Sequence, residues 1–423
     1  MEQGKLFISK KLDKKSETGI KFSQFKRERD NSWDYSDVPG SYGVYGIHPY
    51  PAMFHFLVVR RLLNELSQPS DLVLDPFMGS GVCAVECLIN GRNFIGYDIN
   101  PLAVLIAKVR VTPLKSKSLF QALERILEDY QKTAPTDIYF PNIDYWFDRE
   151  VIDQLSKLKS SIFNLSNQKI QNFFKVVFSE VVRKVSRTDH NEFKLIRRKK
   201  ENINNNVIKV FQNIALRNIN LLTTFYQEFK NLKADITLKV KNIFEIPLER
   251  NYVDLIITSP PYGDSRTTVA YGQFSRLSLR WLGIEEQVDK QSLGSKRVEI
   301  YEELPSRILY QYLDEIKKRN FKRAREVYAF YFDLFRAIEI LSYILKPKGK
   351  IAFVVGNRRV KGIELPTDKI SADFFSYFGI KHIKTIVRAI SNKRMPIENS
   401  PTNIKGKKDS TMRYEYILIL RKD

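Results

Sequence analysis

Two short strands, joined through a glycine turn and a helix of small residues, occupy positions 71–98, and few folds accept that order. Asp71–Asp75 reads as a buried strand of four to five residues. It runs into Pro76, Phe77, Met78, Gly79, Ser80 and Gly81, a turn, and then a helix to Asn90 that Gly91 stops. Asn93–Tyr97 is a second strand ending at Asp98, and Asn100 with Pro101 opens another helix, with proline in its first turn. Strand, helix, strand, helix in this spacing predicts a parallel α/β sheet. Upstream, 52–66 carries apolar residues at helical spacing. Downstream, strands are predicted at 237–240, 253–257, 350–355, 383–390 and 414–421, with a long helix at 326–345. The expected fold is therefore α/β, with a mixed, largely parallel sheet of about seven strands. Residues 112–232 interrupt it with amphipathic helical stretches (118–132, 149–161, 170–186 and 206–231) and read as a helical insertion. Residues 1–40 read as a polar arm, 41–111 and 233–423 as the sheet domain, and 263–325 as a polar, charged segment.

The glycine turn lies at the carboxyl end of a strand, where open α/β sheets bind ligands. Gly79 and Gly81 let the backbone approach a ligand closely. The turn departs from G-x-G-x-x-G and lacks the Gly-Lys-Ser/Thr of a P-loop, which counts against dinucleotide and triphosphate binding. Asp98, ending the next strand, is placed to accept both ribose hydroxyls of a nucleoside. Thr258, Ser259, Pro260, Pro261, Tyr262 and Gly263 follow the 253–257 strand. The two prolines remove two N–H donors, so carbonyl oxygens dominate the local polar surface. With the Ser259 hydroxyl and the flat face of Tyr262, that surface suits the exocyclic amino group of a planar base.

Asp75–Gly81 and Ser259–Tyr262 together resemble the S-adenosylmethionine-dependent DNA amino-methyltransferases, the N4-cytosine and N6-adenine enzymes. The resemblance covers roughly 45–110, 235–263 and 326–360. It implies a Rossmann-like class I methyltransferase sheet and S-adenosylmethionine as methyl donor. By the same resemblance Asp75, Pro76, Phe77, Gly79, Ser80, Gly81, Asp98 and Asn100 hold the cofactor, and Ser259, Pro260, Pro261 and Tyr262 form the catalytic tetrad. His48, Pro49, Tyr50 and Pro51 resemble the family's upstream cofactor-pocket motif, with His48 and Pro49 as its cofactor residues, although a packed core or turn histidine is the other reading of His48. Asn242 stands where the family often has an Asp near the cofactor's adenine; a simple turn residue is the other reading. Serine in the first tetrad position resembles the N4-cytosine branch; N6-adenine, an RNA base-amino methyltransferase and an inactive nucleic-acid-binding relative are the alternatives. The implied role is modification of a flipped-out base in double-stranded DNA, beside a cognate restriction endonuclease with which no stable complex is implied. Cytosine-C5 chemistry would need a thiolate in a Pro-Cys setting. Cys83 and Cys87 sit instead on the helix after the glycine turn, where they read as packing residues.

Charge enters at this point. The chain has 70 Lys and Arg against 48 Asp and Glu, a net charge of +22, so a polyanion is the expected partner. Nucleic acid comes first, a membrane surface second, and a lysine-rich composition without functional meaning is the bland alternative. Arg183, Lys184, Arg187, Lys194, Arg197 and Arg198 cluster in one stretch and are the expected DNA contacts, which assigns target recognition chiefly to 112–232. Lys393 and Arg394, within 391–413, and segment 263–325 are competing candidates. The two cysteines and four histidines form neither a disulfide framework nor a zinc pattern, so no metal is expected. No apolar run approaches membrane-spanning length, and the lysine-rich start has no apolar signal core. A cytoplasmic protein, associated with the nucleoid through DNA, is expected.

Overall fold

The computed structural model describes residues 25–189, 193–198, 206–229, 231–263, 269–285, 287–296, 303–390, 398–399, 409–410 and 412–423. Eight strands form the main sheet: β1 (Arg27–Arg29), β2 (Leu72–Asp75), β3 (Asn93–Asp98), β4 (Ile236–Val240), β5 (Val253–Thr258), β6 (Leu345–Val355), β7 (Ile380–Ala389) and β8 (Tyr414–Lys422). Their spatial order is β1-β7-β8-β6-β5-β2-β3-β4. The run from β6 to β4 is parallel, and β8 enters antiparallel between β6 and β7. The chain reverses its winding between β2 and β5, and that switch point opens a crevice at the carboxyl ends of the strands. The sheet is Rossmann-like, mixed and largely parallel, as expected. Its eighth strand comes from the arm: β1 pairs in parallel with β7, and Arg27 makes a bidentate contact, 2.8 Å to each oxygen, with the buried Asp368.

Alternate residues of the strands feed two cores, as the period of two requires. Val73, Leu255, Val354 and Ile417 face one side, and Leu74, Ile256, Phe353 and Leu418 the other. The first side is covered by α1 (Phe56–Leu66), α2 (Val82–Ile89) and α3 (Pro101–Arg110). Residues 112–232 add α4 (Ser116–Lys132), α5 (Arg149–Phe163), α6 (Gln168–Val185) and α7 (Val207–Gln227) to the same continuous core. Helix α6 is buried along most of its length, and its Phe178 meets Trp281 edge-on.

Within 263–325 the described residues are more ordered than the composition predicts. It contains α8 (Tyr271–Leu282) and α9 (Arg307–Arg319), and α10 (Phe321–Ile344) begins earlier than expected. Their buried residues keep helical spacing, as Phe274, Leu277 and Trp281 do in α8, but the polar residues between them mask it. A further helix, α11 (Thr367–Tyr377), was not expected at all; with α9 and α10 it covers the second face.

Candidate active site

Local chemistry builds the cofactor turn. Gly79 and Gly81 have φ of +52° and +83°, in the left-handed region that favours glycine. A Cβ on Gly81 would lie 2.5 Å from the Ala107 Cβ, so the close approach of α3 requires glycine there. A Cβ on Gly79 would meet only Tyr50, at 3.7 Å, which leaves the turn open toward the crevice. Asn100 caps α3 by accepting from the Leu102 N–H, an interaction worth about 1 kcal/mol, with Pro101 at the first helical position. Its amide donates to Tyr50 at 3.1 Å and to Ser275 at 2.7 Å.

The carboxylate of Asp98 accepts from the Gly79 N–H and the Asn100 N–H, each at 2.8 Å. Two ionised oxygens offer about four acceptor sites, so capacity remains for ribose hydroxyls. Burial pushes the Asp98 carboxyl up to about 6, against the lowering effect of the two N–H groups. The site therefore fits a nucleoside cofactor on its own geometry. Ribose hydroxyls donate to the ionised form, so cofactor affinity should strengthen as pH rises through about 6 and level off above it. Below that point the dissociation constant should grow by up to about tenfold per pH unit. Equilibrium dialysis with labelled cofactor between about pH 5 and 8 checks this, and Asp98→Asn should bind weakly with a flat profile.

Strand β5 delivers the tetrad beside this turn. The Thr258 hydroxyl donates to Asp75 Oδ1 at 2.7 Å, tying the two motifs together across neighbouring strands. Asp75 also accepts from the Phe77 N–H at 3.1 Å, and burial pushes its carboxyl up to about 7. The Ser259 hydroxyl donates to the Tyr262 hydroxyl at 3.1 Å, which donates in turn to Glu415 at 3.1 Å.

One cleft gathers Pro76, Phe77, Gly79, Ser80, Asp98, Asn100, Asn242, Ser259, Pro261 and Tyr262. Asn242 spans part of it, donating to the Gln291 carbonyl at 3.1 Å. Asp75, Gly81, Pro260, His48 and Pro49 are not in its lining. Asp75 and Gly81 shape the turn from behind. Pro49 is exposed, whereas His48 is buried edge-on to Phe274. Burial, with Arg110, Arg217 and Arg183 nearby, lowers the His48 ring to about 3, so it is neutral. Sequence reasoning missed Met53, Phe54, Tyr271, Leu293 and Glu415, which also line the cleft. Of the upstream motif His48–Pro51, Tyr50 is the residue that lines the cleft; Glu415 carried no sequence signal.

The basic stretch divides by environment. Lys184, Lys194 and Arg197 are exposed, and Arg197 lies 4.3 Å from the Tyr145 ring. Arg183 packs over Phe274 at 4.6 Å, Arg187 pairs with Asp148, and Arg198 donates to the Thr188 carbonyl at 2.8 Å. The stretch sits against α8, where the Leu195 N–H donates to Gln273 at 3.2 Å, two residues from the cleft residue Tyr271. Lys393 and Arg394 lie outside the described residues. Among the described residues no helix is long and apolar enough to cross a membrane.

Sheet order, an open glycine turn and an acidic residue ending the next strand are the features expected of a methyltransferase that uses S-adenosylmethionine. Residues 5–109 match the family model described as DNA methylase. The type II methyltransferase M.MvaI of Kocuria varians is 36% identical over 411 residues, covering 88% of this chain and 90% of that protein. The chain belongs to this DNA methylase family. The type II methyltransferase M.MjaII of Methanocaldococcus jannaschii is 29% identical over 197 residues, 44% of this chain and 36% of that protein. The DNA adenine methyltransferase YhdJ of Escherichia coli is 37% identical over 70 residues, 16% of this chain and 23% of that protein. Among solved structures, a SAM-dependent methyltransferase from Methanosarcina mazei aligns with a TM-score of 0.32 at 9% identity, over 85% of this chain and 96% of that one.

Proposed function

We propose that this protein is the modification methyltransferase of a restriction–modification system and methylates the N4 amino group of a flipped-out cytosine in duplex DNA. The observation that carries the reading is the tetrad beside the cofactor turn, with Ser259, Pro261 and Tyr262 in the lining of the same cleft as Gly79 and Asp98. When bound, S-adenosylmethionine supplies an activated methyl group on a sulfonium. Asp98 would hold its ribose, the open backbone at Gly79 would admit it, and Phe77 and Leu293 would flank it.

The tetrad's work is positional. An aromatic amine is a poor nucleophile because its lone pair is delocalised into the ring. Ser259 Oγ, which stands in the cleft lining, accepts one of its hydrogens and favours the pyramidal nitrogen that can attack. Tyr262 stacks on the base and fixes its plane. Alignment of this kind supplies much of the rate, and no covalent intermediate is needed. A base inside a duplex cannot reach the cleft, so it is extruded at a cost of a few kcal/mol. The exposed Lys184, Lys194 and Arg197, held against α8 beside the cleft, are the phosphate contacts that offset this cost, and residues 112–232 carry target recognition.

Serine at position 259 favours cytosine. The local similarity to a protein named as a DNA adenine methyltransferase supports N6-adenine as the second reading. Incubation with radiolabelled S-adenosylmethionine and, in parallel, unmethylated genomic DNA or total RNA, then nucleoside digestion and mass analysis, separates the two. N4-methylcytosine is the expected product. N6-methyladenine would replace the base assignment and keep the site, while label in RNA alone would overturn the DNA reading.

A further inference from the structure

Glu415 stands at the start of β8 and lines the cleft beside the tetrad. Its Oε1 accepts from the Tyr262 hydroxyl at 3.1 Å. Its Oε2 accepts from Arg388 Nη1 at 2.5 Å. Arg388 is itself fixed by the arm, donating to the carbonyls of Trp33 at 2.9 Å and Asp34 at 3.3 Å.

This anchoring sets the sense of the whole chain of hydroxyls. A carboxylate ion-paired to arginine has no hydrogen to give. Tyr262 must therefore donate to it, and burial beside Glu415 pushes the phenol well above its usual range, so the donor hydrogen is retained. The Tyr262 oxygen then accepts the only hydrogen of Ser259. Toward the cleft, Ser259 Oγ is left with lone pairs alone.

We infer that Glu415 is a positioning residue that, through Tyr262, makes Ser259 an acceptor-only group and so selects a base bearing an amino group over one bearing a carbonyl at that position. The inference rests on the reading of Ser259 as the acceptor of the target amino hydrogens. An amino group meets a complementary lone pair, whereas a carbonyl oxygen meets lone pair against lone pair. A glutamine at 415 brings an amide that can donate to Tyr262, which lets the chain reverse and point the serine hydrogen at the base.

A double-mutant cycle tests this on the intact protein, with tritiated S-adenosylmethionine and unmethylated genomic DNA. Glu415→Gln should lower kcat about 10- to 100-fold while KM for DNA and for cofactor stays within about twofold. Tyr262→Phe keeps the stacking ring and the Glu415–Arg388 pair but removes the hydroxyl, and should lower kcat similarly. The double variant should be no slower than Tyr262→Phe alone, because both act through one hydroxyl. Additive losses, or an unchanged kcat in Glu415→Gln, would overturn the role of Glu415. A second readout is binding. On a duplex carrying the mapped target, wild type should prefer the amino base to uracil or hypoxanthine in its place, and Glu415→Gln should narrow that ratio. An unaltered ratio also overturns it. Full turnover in Ser259→Ala would instead defeat the reading on which the inference rests, so the two failures are distinguishable.

Discussion

Ser259→Ala is expected to lose methyl transfer by about 10²- to 10³-fold while binding S-adenosylmethionine as tightly as wild type. The size follows from removing one preorganised acceptor at the atom where positive charge develops. Inside a dry cleft such a contact is worth far more than in water. The selectivity follows from geometry. Ser259 leaves β5, while Gly79 and Asp98, which make the nucleoside seat, follow β2 and end β3. The substitution removes a hydroxyl from the cleft and leaves the hydrogen bonds of Asp98 intact. Single-turnover transfer of labelled methyl groups measures the first effect and equilibrium dialysis the second. Wild-type turnover in the variant would remove Ser259 from the chemistry. A parallel loss of cofactor binding would mean that the two halves of the cleft are one unit.

The second large effect concerns a residue that lies outside the cleft lining. Arg110, in the last turn of α3, is fully buried. Its guanidinium donates to the Ser80 carbonyl at 3.0 Å, the Ser80 hydroxyl at 2.7 Å, the Tyr45 carbonyl at 2.7 Å and the His48 carbonyl at 3.3 Å. These contacts join the glycine turn to the segment that presents Tyr50. Burial lowers the arginine to about 10, so it stays cationic at neutral pH. Arg110→Ala would leave buried acceptors without donors, each worth about 1–3 kcal/mol, and open a cavity beside them. Relief of the cation's desolvation offsets part of that loss. The net expectation is a destabilisation of about 3–4 kcal/mol, read from denaturant unfolding, with weakened cofactor binding because Ser80 lines the cleft. Arg110→Met restores much of the volume but none of the donors. If it were as stable as wild type, packing alone would account for Arg110.

Much of this arrangement is legible in the sequence, and the reason is distance along the chain. The β2–turn–α2–β3 unit is written in consecutive residues. Its glycines adopt positive φ, Asn100 caps the helix it begins, and strand alternation follows from neighbours. The tetrad is equally local, since two prolines in succession dictate a backbone rich in carbonyls wherever the segment lies. Helices α8 and α9 carried an apolar period of their own, but polar and charged residues within it diluted the signal.

Residues 71–110 and 253–263 thus determined by themselves the class of sheet and the two motifs that meet in its crevice, because backbone conformation there depends on adjacent side chains. Only the tertiary structure decided that Asp75 and His48 stand outside the cleft lining and that Glu415, 153 residues from Tyr262, closes a chain of hydrogen bonds with it. That contact exists because β8 inserts antiparallel between β6 and β7, which carries the start of the strand to the carboxyl end of β5. No local propensity encodes such a meeting. It is fixed by the order in which strands pair and by the two cores that hold the sheet between them.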